Sequence, residues 1–97
     1  MNGIEEHREK IDQIDKELID LLAKRFIYSS NIGRIKERQG ISVLQSSRWD
    51  KILSSRKEYA INAGLSEKFT EEFLNLIHRE SLRIQDEISG SEDEDAP

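Results

Sequence analysis

The sequence predicts an all-α fold of three helices, one long and two shorter, packed as a homodimer. Three observations lead there. Apolar residues recur at helical spacing over most of the 97 residues. One Pro and five Gly leave few breaks in a chain rich in Glu, Lys, Leu and Ile. The hydrophobic share is 35% against 36% charged, which gives a single copy only a thin core and makes association attractive.

The first segment runs from about Ile4 to Gln39. Ile4, Ile11, Ile14, Leu18, Leu21, Leu22 and Ile32 keep helical spacing. Asn2 followed by Glu5 resembles a capping box, and Gln39-Gly40 reads as the stop. Gly33 lies inside and costs about 1 kcal/mol relative to Ala. Ile41 to Leu44 reads as a short extended connector. The second segment starts near Ser46 or Ser47, either of which suits a cap, and ends at Ala63-Gly64. The third is capped by Ser66 and runs to about Ile88, with Ser89-Gly90 as its stop. The domain division expected is residues 1–88 as the helical domain and 89–97 as an acidic disordered tail.

Length turns this reading into an assembly. A first helix of about 35 residues spans roughly 50 Å at 1.5 Å per residue. A compact domain of this size has a radius of gyration near ~13 Å and a diameter of about 34 Å. The helix either breaks, with Gly33 the natural place, or protrudes and is covered by a second copy. Its apolar stripe persists to the N-terminal end, which favours the second copy.

Several function classes are excluded or weakened. There are no Cys residues, so disulfides and thiol chemistry are absent, as are the commonest structural zinc ligands. His7 and His78 stand without a matching ligand pattern. No apolar run approaches the roughly 18 residues of a membrane span, and no signal-peptide pattern opens the chain, so a soluble cytoplasmic protein is expected. The net charge is −5, but Glu92 to Asp95 carry four of those charges in the tail. No basic block interleaves with aromatics, so no nucleic-acid partner is expected.

The informative oddity lies in LLAKRFIYSSNIGRIK, residues 21–36. The heptad ladder Ile11, Leu18 continues as Arg25, then Ile32; its companion Asp15, Leu22 continues as Ser29, then Lys36. Arg25 and Lys36 stand eleven residues apart, about 20° off one face and roughly 16 Å along the axis. Long side chains leaning inward can bracket a small anion. Arg8 lies roughly 26 Å before Arg25 and on another face, so it can join Arg25 only from the antiparallel helix of a partner. In the third segment Leu74, Ile77, Ser81, Gln85 and Ile88 share one face, which puts a hydroxyl and an amide in an apolar seam. Any single Arg or Lys on a helix is ordinarily solvated, its stem lying over the core. Seam Ser and Gln side chains often serve the backbone or set helix register. The combination is harder to explain that way, because buried cations need an anionic partner. A small dicarboxylate would supply it.

These residues carry a resemblance to a known family. HREKIDQIDKELIDLLAKR at 7–25, IGRIK at 32–36, Arg48 in LQSSRW and ESLRIQ at 80–85 together resemble the all-α (type II) chorismate mutases over roughly residues 4 to 88. The resemblance implies an entwined three-helix homodimer and no cofactor or metal. It implies the rearrangement of chorismate to prephenate, on the route to phenylalanine and tyrosine. That reaction is a unimolecular pericyclic shift, which needs an uncommon substrate conformer held in place and charge on an ether oxygen stabilised. By the same resemblance, Arg8 from the partner and Arg25 would hold the two carboxylates with Ser81 assisting, and Lys36 and Gln85 would donate to the ether oxygen. Since an amide does not titrate, little pH dependence is expected across the neutral range.

The sequence departs from the family pattern at one place. An acid usually stands at the position of Gln45, and Arg-Glu at Arg48-Trp49. That Glu normally receives the substrate hydroxyl, so the Gln45 amide, a backbone group or Ser46 must meet it, or the substrate differs. Arg48 matches, but it has lost its acidic neighbour. Trp49 itself is expected to pack in the core. Alternatives therefore stand beside the mutase: an isochorismate pyruvate lyase with the same fold and cationic site, or a non-catalytic helical dimerisation module. A fused or associated synthase domain of aromatic biosynthesis is a further expected partner.

Overall fold

A computed structural model describes residues 3–41 and 46–89. It contains α1 (Ile4–Gln39), α2 (Ser46–Asn62) and α3 (Glu67–Ser89). The all-α expectation of three helices holds, and α1 begins and ends where its pattern does. The connector residues 42–45, Gln45 among them, and the tail from Gly90 onward lie outside the described residues.

The helix ends follow backbone chemistry. Gly40 closes α1 with φ 70°, and the amide of Ile41 donates to the Lys36 carbonyl at 2.9 Å. Only glycine reaches that conformation without strain, so the stop is written into the residue type. Gly64, with φ 98°, does the same for α2, where the Leu65 amide donates to the Ala60 carbonyl at 3.0 Å. Ser66 caps α3 as expected: its Oγ accepts from the Phe69 amide at 3.1 Å. The start of α1 differs. Its N-cap is Gly3, which has no side chain to offer, and His7 Nδ1 lies 2.8 Å from the Gly3 carbonyl oxygen instead. Asn2, the first residue of the expected capping box with Glu5, lies outside the described residues.

α1 does not break. All 36 residues form one helix, which by rise alone is about 54 Å long. The chain measures 61 × 24 × 21 Å with a radius of gyration of 17.3 Å, well above the ~13 Å of a compact domain this size. α3 packs against both α1 and α2, while α1 and α2 have no Cα pair within 8 Å among the described residues. The core is thin. Ala60 and Ile77 are the buried apolar residues among those described, whereas Ile4, Ile11, Ile14, Leu18 and Leu21 of α1 are each 44–61% exposed.

Gly33, which reads from sequence as a cost, is a point of close approach between α1 and α3. A Cβ placed there would sit 3.1 Å from Gln85 Cα and 3.3 Å from Gln85 Cγ. The missing side chain lets the helices come together with Gln85 pressed against the α1 backbone. Replacing Gly33→Val is expected to lower stability by about 1–3 kcal/mol, the usual range for overpacking a close contact. The urea midpoint reads this directly. An unchanged midpoint would mean that the helices have room to spare.

Candidate active site

The cleft between α1 and α2, floored by α3, holds a cavity of about 300 Å³. α1 contributes Arg25, Tyr28, Ser29, Ile32 and Lys36; α2 contributes Arg48, Trp49 and Ile52; α3 contributes His78, Ser81 and Gln85. Five residues singled out from sequence, Arg25, Lys36, Arg48, Ser81 and Gln85, therefore share one cavity. Helical spacing explains the α1 set, since 25, 29, 32 and 36 follow steps of four, three and four along one face. On α3, 78, 81 and 85 follow steps of three and four.

Two hydrogen-bonded clusters organise the floor. At one end Arg25 Nη1 donates to Ser81 Oγ at 2.8 Å, and Ser81 Oγ lies 2.9 Å from Ser29 Oγ. At the other end Lys36 Nζ donates to Gln85 Oε1 at 3.1 Å. Ser29, Ser81 and Gln85 are buried, so their polar atoms hold fixed positions. Lys36 engages the amide oxygen of Gln85, whose NH₂ group is the donor half of the same amide.

The electrostatics are one-sided. Among the described residues three cations line the cavity and no carboxylate does. Burial, and then the charge of Arg56, lower the Arg25 pKa from its ordinary value. Burial, and then Arg48, do the same for Lys36. Both shifts mean that burial and neighbouring charge disfavour the site's own positive charge, which an anion bound there would offset. Among the described residues no group of three His, Asp or Glu comes together to hold a metal ion.

Other residues fall elsewhere or arrive unforeseen. Arg8 is exposed and far along α1, where its Nη1 pairs with Glu5 at 3.0 Å. It takes no part in the cavity of its own chain. Gln45 falls outside the described residues. Trp49 is not a core residue. It is half-buried on the cavity wall, and its ring stacks on His78 with centroids 3.9 Å apart and planes 4° from parallel. His78 was read as standing alone, yet it lines the cavity and its pKa is lowered by burial and then by Arg25. Ser29 had been noted only as a polar break in the stripe.

Comparison with known proteins gives the family. The family described as chorismate mutase type II matches residues 7–86. The T-protein of Haemophilus influenzae is 35% identical over 88 residues, covering 91% of this chain and 23% of that protein. The T-protein of Enterobacter agglomerans is 34% identical over 80 residues, covering 82% of this chain and 21% of its own length. The chain thus spans less than a quarter of these two relatives. The 4-amino-4-deoxychorismate mutase of Streptomyces venezuelae is 28% identical over 91 residues, covering 94% of this chain and 88% of that protein. No solved structure matches the chain significantly. With a family match running through all three helices, the chain belongs to the chorismate mutase type II family.

Proposed function

We propose that this chain converts chorismate to prephenate, and that the cavity between α1 and α2 is where it does so. The observation that carries the reading is the set of three cations, Arg25, Lys36 and Arg48, lining a cavity with no carboxylate. Chorismate brings two carboxylates and an ether oxygen that gains negative charge as its C–O bond breaks. The reaction moves electrons in a closed ring: the C–O bond breaks, a C–C bond forms, and nothing enters or leaves. The protein's task is to select the compact conformer and stabilise the developing charge.

The residues divide by position. Arg25, steadied by Ser81, faces one carboxylate, and its planar guanidinium suits a two-point contact. Arg48 adds positive charge from α2. Lys36, which also donates to the Gln85 amide oxygen, and the Gln85 NH₂ group donate to the ether oxygen. Their charge stabilisation strengthens toward the transition state, which is what raises a rate rather than mere affinity.

Arg8 enters from a second copy in this proposal. The exposed apolar stripe Ile4, Ile11, Ile14 and Leu18 supports pairing, because a row of large aliphatics along one helix face favours burial. An antiparallel partner would bring its own Arg8 to the Arg25 end of the cavity. A cytoplasmic location and a place in phenylalanine and tyrosine formation belong to the same proposal. So does a further fused or associated domain of that route, supported by the two T-proteins carrying the matching segment within much longer chains.

The Streptomyces relative raises a second substrate, with an amine where chorismate has its hydroxyl. The cavity disfavours it: an ammonium would stand among Arg25, Lys36 and Arg48 with no lining carboxylate to offset the repulsion. The lyase reading has no observation of its own in its favour.

Incubation with chorismate, followed by NMR, should show prephenate above the uncatalysed rate. No turnover of chorismate, together with pyruvate release from isochorismate, would replace the mutase with the lyase. Lys36→Ala is expected to cut kcat by about 10²–10³ or more while helicity is kept, the usual loss for one donor at a developing oxyanion. Lys36 must be protonated to act, and burial and Arg48 lower its pKa, so kcat/KM should fall as pH rises through a value below the ordinary 10.5. Between pH 7 and 8 the profile should be flat. Arg8→Ala and Arg25→Ala should each be inactive, yet regain activity when mixed, since a mixed dimer holds one intact site. Absence of rescue after confirmed subunit exchange would remove Arg8 from the site.

A further inference from the structure

The Trp49–His78 pair has no task in the mechanism so far. Both residues line the cavity, one from α2 and one from α3. Their rings lie face to face at 3.9 Å, which fixes the imidazole plane. Among the described residues neither ring nitrogen of His78 has a hydrogen-bond partner, and neither does Trp49 Nε1. Both residues are half-buried on the cavity wall, so an indole N–H and the imidazole nitrogens are polar groups that a bound molecule can meet there.

Charge sorts what they can receive. The α1 wall offers cations, Arg25 and Lys36, and the floor adds Ser81 and Gln85. A dicarboxylate ether uses those. The pair offers neutral groups: an indole donor, and an imidazole with one donor and one acceptor nitrogen. Burial and Arg25 favour the neutral imidazole, which keeps that acceptor available. A hydroxyl both donates and accepts, and so complements an indole N–H beside an imidazole nitrogen. It is also the one polar group of chorismate for which the cations are ill suited.

We propose that His78, held in place by its stack on Trp49, is the specificity-determining residue that accepts the hydrogen bond of the substrate's ring hydroxyl, with Trp49 Nε1–H as the accompanying donor. The proposal rests on the mutase reading for its substrate. It identifies the selected chemical feature: an uncharged hydroxyl on the ring, rather than hydrogen or an ammonium.

His78→Phe tests it, because phenylalanine keeps an aromatic ring on Trp49 while removing both nitrogens. Chorismate and its analogue lacking the ring hydroxyl are compared in the full chain. The variant should lose about tenfold in kcat/KM with chorismate, the order expected for one hydrogen bond, and change by less than about twofold with the analogue. Equal losses on both compounds would show that the ring only packs, and no loss on either would show that it does not contact substrate; both overturn the proposal. Absence of wild-type turnover would sink the mutase reading instead. Binding would then decide the role of His78, read from the fluorescence of Trp49, the sole tryptophan. Preference for the hydroxylated ligand in the wild type, lost in His78→Phe, supports the proposal. Equal preference in both, or no binding of either ligand, overturns it.

Discussion

Three positive charges share a cavity with no carboxylate on its walls among the described residues, and the frame around them holds them there. Like charges on flexible stems would swing apart into water. Here Arg25 and Lys36 sit on one unbroken helix, and each is engaged by a neutral partner from α3. Among the described residues α1 and α2 do not pack on each other, and α3, packed against both, ties the Arg48 side of the cavity to the Arg25 side. The cleft exists because α3 keeps the other two helices apart.

Neutral partners suit that arrangement better than carboxylates would. An acid in the cavity would neutralise the cations and compete with an anionic substrate. A serine and a glutamine orient Arg25 and Lys36 while leaving their charge unspent. The cost shows in the lowered pKa of both groups, whose charged forms burial disfavours. Stability and function pull in different directions here, as is usual where a site awaits a ligand.

Much of this was legible in the sequence, for local reasons. Gly40 and Gly64 mark helix ends because their φ values exclude other residues, and Ser66 announces α3 through its hydroxyl. Arg25, Lys36, Ser81 and Gln85 stand out because each interrupts an apolar period at helical spacing. The glycine cap at the start of α1 leaves no side-chain signature for a sequence reading to find. His78 and Trp49 escaped because their meeting depends on how α2 rests on α3. Nothing within either helix encodes that distance. Arg8 shows the same limit from the other side, since its spacing excludes the cavity of its own chain and leaves the rest to assembly.

The contact at Gly33 has a consequence for how such sequences diverge. The residue that permits the close helix approach touches Gln85, and Gln85 also holds Lys36. A change at position 33 therefore alters the setting in which any change at 85 is felt, and the reverse. Substitutions at the two positions should be epistatic, because neighbours in one contact network do not contribute independently. Drift here is confined to coordinated steps, while the exposed outer faces of the same helices are free to change one residue at a time.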